Sequence, residues 1–448
     1  MAAAAAAGAA ASSSTSSAAA VSAQPPAASA GTTAPLDYEQ QLRLKMDAVA
    51  TIMQPLVDSG RLDARLLAPS GRLEVRRSPA RHFRARTVVA IGEARADAGE
   101  GLFRFVSDGS GRLRLTATVP TDTLLPQIEA ALPALADLLS EDGPGQAFQP
   151  GLRCIKLHAP LGGEPPQLLF CLIYGPDGEA PTENALEDLR AALAGRLAGG
   201  AGGGAAAVEV VGMAQARGVQ RCVPAGRDFV DERLAMAQRA EPLRYRQPFG
   251  QFSNPNPHVA VATAEWLSDV IRTSVGSEGG PADLLELYCG AGSHTVALAP
   301  LFRHVLAVEI NRHLVTAAQQ NIAQNSLENV TVIRAPSEEF CKRILRKRSY
   351  QIRGEDGSTK LQLNFSCTIV DPPRAGLDQL TLGAVAGYDH VLYVSCNPEA
   401  LRRDLCTFLE THDLCRLVLL DHFPFSAHAE VAVHLRKRTV SQSIGSES

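Results

Sequence analysis

From Arg244 onward, short continuous apolar runs alternate with longer stretches whose apolar residues recur every three or four positions. The runs read as strands buried on both faces, and the spaced stretches as amphipathic helices. This pattern predicts strands at 283–288, 305–309, 330–334, 366–370, 390–395, 415–420 and 430–436. Helices fit at 258–272, 293–302, 311–325, 337–347 and 398–411. Such alternation builds an α/β fold around a doubly wound, mostly parallel sheet.

The first half is patterned differently. Leu42, Met46, Val49 and Met53 mark a helix, and short β-like segments broken by Gly and Pro run from Leu73 to Val119, clearest at 88–92 and 103–106. A helix follows over 121–141 and a strand over 167–174, so 37–240 reads as an α+β domain and 241–438 as the α/β domain. Gly199–Ala207 reads as a loop insertion without function. Residues 1–36 are almost entirely Ala, Ser, Thr, Gly and Pro without a charged side chain. They offer too little apolar surface to order themselves and read as a disordered tail, as does 439–448. The N-terminal tail is also compatible with a plastid or mitochondrial transit segment, although its lack of arginine counts against that.

Composition narrows the class. With 45% hydrophobic and 20% charged residues among 448, the chain is ordinary for a soluble protein. No apolar run reaches the ~18 residues of a membrane span. The net charge of −4 means that any nucleic-acid contact must come from a local basic patch. Nine scattered cysteines without a Cys-x-x-Cys pair argue against a disulfide framework, zinc or an iron–sulfur cluster. No metal is expected, and a reducing, cytoplasmic setting fits.

Candidate chemistry gathers at predicted strand ends. Cys396 lies in Val394-Ser395-Cys396-Asn397-Pro398, between a buried strand and a helix with Pro398 at its first position. Enzymes of this fold place their chemistry there, and the helix N-terminus favours thiolate. Asp283–Leu287 runs into Tyr288-Cys289-Gly290-Ala291-Gly292-Ser293, a turn that lets backbone approach a ligand, and the next strand ends in Glu309, placed to accept ribose hydroxyls. NAD and S-adenosylmethionine (AdoMet) both fit this outline; the missing third glycine of Gly-x-Gly-x-x-Gly and the acid-rich strand start favour AdoMet. Another strand ends in Asp371-Pro372-Pro373-Arg374, and Glu430 heads the last apolar strand, where a carboxylate of raised pKa could move a proton.

In this order and register, the glycine turn, Asp371-Pro372-Pro373-Arg374, Ser395-Cys396-Asn397-Pro398 and Phe423-Pro424…His428-Ala429-Glu430 resemble the RNA uracil-5-methyltransferase family, most closely its tRNA branch. Tyr38–Leu42 and Arg77–Arg86 also look like that branch. The rRNA-acting relatives usually carry a β-barrel module and iron–sulfur cysteines, and this chain has neither pattern. The resemblance implies a class I AdoMet-dependent methyltransferase, a Rossmann-like sheet preceded by an RNA-binding α+β domain. It implies methylation of uridine carbon 5 in the tRNA T-loop, at position 54 of the tRNA, with Cys396 as nucleophile at carbon 6 and Glu430 as base. AdoMet contacts would come from Asn254, Tyr288, Gly290, Gly292, Ser293, Glu309 and Asp371. Asn254 and Ser293 stand where a longer Gln and Asn are usual. Six arginines against Glu74 within 72–86 suit phosphate clamping, with Arg81, Phe83, Arg84 and Arg86 as RNA-binding candidates; Lys342–Arg348 is a second basic run. The expected partner is the T-arm of tRNA, bound by a monomer. The alternatives are the same chemistry on rRNA, or a binding protein that does not methylate.

Overall fold

A computed structural model describes residues 37–439 apart from 68–72, 93–101, 141, 144, 164–165, 176–177, 180, 199–206, 217–218, 277–282, 346–348 and 354–357. The two predicted tails (all but residue 439), the Gly/Ala-rich loop short of Ala207, Arg72 and Arg346–Arg348 lie outside the described residues. The N-terminal half contains α1 (Tyr38–Asp58), β1 (Leu73–Arg76), β2 (Arg86–Ile91), β3 (Phe103–Ser107), β4 (Leu113–Ala117), α2 (Pro126–Leu139), β5 (Leu152–His158), β6 (Gln167–Tyr174), α3 (Glu183–Ala198), β7 (Ala207–Ala216) and β8 (Val219–Ala225). A two-stranded ribbon, β9 (Phe229–Leu234) and β10 (Leu243–Pro248), leads into the second half.

There the order is α4 (Pro257–Val270), β11 (Asp283–Leu287), α5 (Ser293–Leu298), β12 (His304–Glu309), α6 (Arg312–Gln324), β13 (Val330–Arg334), α7 (Ser337–Ile344), β14 (Ser349–Arg353) and β15 (Thr359–Val370). It continues with α8 (Gln379–Val385), β16 (His390–Ser395), α9 (Pro398–Phe408), β17 (His412–Leu420) and β18 (Glu430–Lys437). The strands stand in the order β1-β17-β18-β16-β15-β11-β12-β13, with β14 paired to β15 outside that path. Strands β16, β15, β11, β12 and β13 run parallel, while β18 is antiparallel to both β16 and β17. This is a doubly wound sheet of the methyltransferase type. Its order reverses beside β11, where such folds open a crevice at the strand ends.

The fully buried runs Asp283–Leu287 and His390–Ser395 account for the core of this half, which lies on both faces of the sheet. Helix starts are set by side-chain caps. Asn256, Asp378 and Asn397 each accept hydrogen bonds from backbone N–H groups of the first turn of α4, α8 and α9. Among the described residues no helix is long and apolar enough to cross a membrane.

A second sheet, β4-β3-β2-β5-β6-β7-β8, carries α2 and α3 against its core of Val89, Phe105, Ile155 and Phe170. Three expectations need correction. Residues 37–76 do not build this sheet: β1 pairs in parallel with β17, and α1 packs into the core of the second half beside α9. The predicted strand at 366–370 begins at Thr359 and forms a hairpin with β14, because polar Gln362 and Asn364 hide its period. Helix α8 adds to the predicted set, and the helix predicted to reach 347 ends at Ile344.

Candidate active site

Adjacent strands bring Cys396 and Glu430 together. In the antiparallel pairing of β16 with β18, Ser395 faces Val431. Cys396 is therefore the first residue beyond one strand, and Glu430 the first residue of its neighbour, at the same end of the two strands. Asn397 fixes the turn after Cys396 by capping α9 and donating to the Arg374 carbonyl at 2.9 Å. The loop Arg374–Leu377 is held in turn by Asp404 of α9. This carboxylate is 1% exposed and accepts from Leu377 N–H at 2.9 Å and the Tyr393 hydroxyl at 2.7 Å.

The glycine turn follows β11. Tyr288, Gly290 and Gly292 all have left-handed backbone, with φ of 62°, 57° and 81°. A side chain at Gly290 would point into open space, whereas at Gly292 it would meet Ala318 of α6. Glu309 spans the turn, accepting from Gly290 N–H at 3.0 Å and Asn311 N–H at 2.8 Å. These bonds orient the carboxylate and leave lone pairs for hydroxyl donors. Ser293 is exposed, and its carbonyl accepts from the buried Tyr245 hydroxyl at 2.8 Å. The open left-handed turn, the oriented Glu309 and the Asp371 carboxylate across the crevice fit a nucleoside cofactor that carries a positive charge.

The carboxylates stand beside two histidines that no sequence motif singles out. His294 Nε2 lies 3.5 Å from Asp371 Oδ2, and His422 Nε2 lies 3.7 Å from Glu430 Oε1. Burial, with the charge of Asp371 added, pushes Glu430 up to about 8, against the pull of His294. Burial works to lower the pKa of His294, yet the hydrogen bond and charge of Asp371, with Glu286 and Glu430 behind, raise it. His422 drops to about 3 through burial and the positive charges of His294 and Lys45, so it stays neutral. The thiol of Cys396 is also raised, by burial and then by Glu430 and Asp371, with Arg374 opposing. Burial and the neighbouring carboxylates therefore oppose the preference for thiolate expected at the start of α9. Asn254, expected at the cofactor, turns its amide toward His422 Nε2 at 3.3 Å and its carbonyl toward Asn256 N–H at 3.1 Å.

The RNA candidates separate. Arg81 is exposed and pairs with Asp122 at 3.1 Å. Phe83 is 1% exposed, so its ring is packing and offers no face for stacking. Arg84 and Arg86 are partly buried, the Nε of each lacks a partner, and burial lowers both to about 10. Arg86 donates to the Gln251 carbonyl at 3.3 Å, and Ala85 N–H to the Pro255 carbonyl at 2.8 Å, so this segment lies against the loop that enters the site. In the second basic run, Lys342 pairs with Glu338 at 2.8 Å on an exposed helix face.

Residues 167–438 match the family model described as tRNA (Uracil-5-)-methyltransferase. The chain is 34% identical to the tRNA/tmRNA (uracil-C(5))-methyltransferase of Neisseria meningitidis serogroup B, over 90% of this chain and 99% of that one. It is equally similar to the enzyme of that name from Edwardsiella ictaluri, over 90% and 97%. The fold resembles the crystal structure of Pyrococcus abyssi tRNA (uracil-54, C5)-methyltransferase in complex with S-adenosyl-L-homocysteine. The TM-score is 0.59 at 20% identity, covering 89% of this chain and 84% of that one.

Proposed function

The chain belongs to the tRNA (uracil-5-)-methyltransferase family, and from that premise we propose that it methylates carbon 5 of the T-loop uridine, position 54 of the tRNA, with Cys396 as nucleophile and Glu430 as base. It is an AdoMet-dependent enzyme, and the cofactor when bound supplies the electrophilic methyl group. The chemistry dictates the rest. Carbon 5 of uracil is too electron-poor to attack a methyl group until a thiolate adds to carbon 6. The Cys396 thiol gives up its proton to solvent, its sulfur forms that bond, and the ring pair moves to carbon 5. After methylation carbon 5 still carries its hydrogen. Glu430 takes this proton, the carbon 5–carbon 6 double bond re-forms, and the pair of the carbon 6–sulfur bond returns to Cys396.

The observation that carries this reading is the register of β16 against β18: Ser395 pairs with Val431, so Cys396 follows the one strand where Glu430 opens the other. Glu309, the turn at 288–292 and Asp371 are assigned to the cofactor. Arg84 and Arg86 are assigned to phosphates of the RNA as partly buried cationic residues beside the loop that enters the site. The base must leave its stack to reach Cys396, at a cost of a few kcal/mol that phosphate contacts offset. The test is methylation of matched T-arm, tmRNA-loop and rRNA fragments with radiolabelled AdoMet. A single methylated uridine in the T-arm is expected. Preference for the rRNA fragment would move the substrate assignment, and no methylation of any would leave a binding protein.

A further inference from the structure

We infer that α1 clamps the loop that aims the base, with Lys45 as its positioning residue. The loop runs from the end of β17 to Glu430 and bends through a left-handed Phe425, φ 59°. Lys45 and Asp421 are 3% and 0% exposed and meet at 2.6 Å, and the same ammonium donates to the Phe423 carbonyl, also at 2.6 Å. One turn earlier, Gln41 donates to the other Asp421 oxygen at 3.4 Å and accepts from Phe425 N–H at 3.2 Å. Tyr38 sets its ring edge-on to Phe425, centroids 6.2 Å apart. Tyr38, Gln41 and Lys45 share one helix face by their spacing, and all three reach the same loop.

A buried ion pair is seldom worth more to stability than an apolar pair of the same size, so stability alone does not account for Lys45. What a single ammonium holding two acceptors two residues apart gives is a fixed path for the backbone. That path carries His422, which touches Glu430. The clamp extends to the RNA side. The Tyr38 hydroxyl accepts from Ser78 N–H at 3.0 Å, and Asn256 bridges the Ser78 hydroxyl at 2.8 Å and the His422 carbonyl at 3.4 Å. Resting on Glu430 as base, the consequence is specific to the last step. Loosening the clamp moves the carboxylate away from the carbon 5 proton, so the methylated ring stays bonded to Cys396.

The test uses the full-length enzyme with an isolated T-arm hairpin and radiolabelled AdoMet. It follows single-turnover methyl incorporation and the protein–RNA adduct that survives denaturing electrophoresis. Lys45→Met alone strands a buried carboxylate, so the main variant is Lys45→Met with Asp421→Leu, which puts an apolar pair in its place. Gln41→Leu is the milder companion. Expected are methyl incorporation within about threefold of the parent and release slowed at least about tenfold, with accumulating adduct; Lys45→Arg alone, which keeps a cation for both acceptors, should release at the parent rate. Equal slowing of both steps, unchanged release, or a double variant that does not fold would overturn the positioning role. Glu430→Gln run in parallel separates the failures. If it traps no adduct, the base assignment fails; if it does and the α1 variants do not, only the clamp fails.

Discussion

Cys396 and Glu430 divide the reaction between them, so their removal should leave different traces. Cys396→Ala should retain AdoMet and RNA binding while methyl incorporation disappears, because carbon 5 is never activated. Glu430→Gln should still methylate but turn over about 10²–10⁴-fold more slowly and accumulate adduct. A Cys396→Ala enzyme that keeps appreciable turnover would move the nucleophile elsewhere. Cys289 is a poor substitute, buried with its thiol pushed well up by burial and by Glu286 and Glu309. Glu430 also predicts a pH signature. Its folded value of about 8 exceeds the ordinary 4.5, so the folded state holds the proton more tightly. The stability linked to that proton is complete below about pH 4.5 and is lost as pH rises through about 8. Melting at pH 6 and pH 9 should show a larger loss for the parent than for Glu430→Gln, which cannot ionise; equal losses would remove Glu430 as the source. Adduct release, which needs the carboxylate, should accelerate over the same interval.

At the scale of elements, the turn residues matter through what they tie together. Asp404 joins α9, β16 and the Arg374–Leu377 loop, and so holds Cys396 and the Asp-Pro-Pro motif in one frame. Asp404→Ala would strand the Tyr393 hydroxyl and Leu377 N–H, costing about 3 kcal/mol, readable in denaturant unfolding. A change below about 0.5 kcal/mol would mean the loop is held by other contacts. The strands of the second half were legible because a short unbroken apolar run between turn residues suits little besides a strand covered on both faces. The site was legible because its residues sit where those runs stop. What was not legible depends on distant partners. Nothing local in Leu73–Arg76 announces a partner at Leu417–Leu420, and Lys45 reads as a surface lysine until Asp421 is set beside it. Phe83 misleads for a related reason: arginines on either side suggest a surface, while the ring turns inward.

For the whole molecule, RNA binding and stability should pull in opposite directions at Arg84 and Arg86. Burial lowers both guanidiniums, and Arg84 further disfavours the charge on Arg86, so an apolar substitute relieves the free protein. Arg86→Met should melt higher than the parent while weakening T-arm binding and reducing the slope of log affinity against log salt by about 1. Thermal melting and binding at two salt concentrations check both halves; unchanged affinity would release Arg86 from the interface. The pairing of β1 with β17 has a further consequence, in the order of synthesis. The strand made first at the edge of the catalytic sheet waits for one made almost last, and Glu430 emerges later still. A growing chain therefore holds the residues of the cofactor turn and Cys396 before it holds its base, and the edge strand has no partner until β17 has been made.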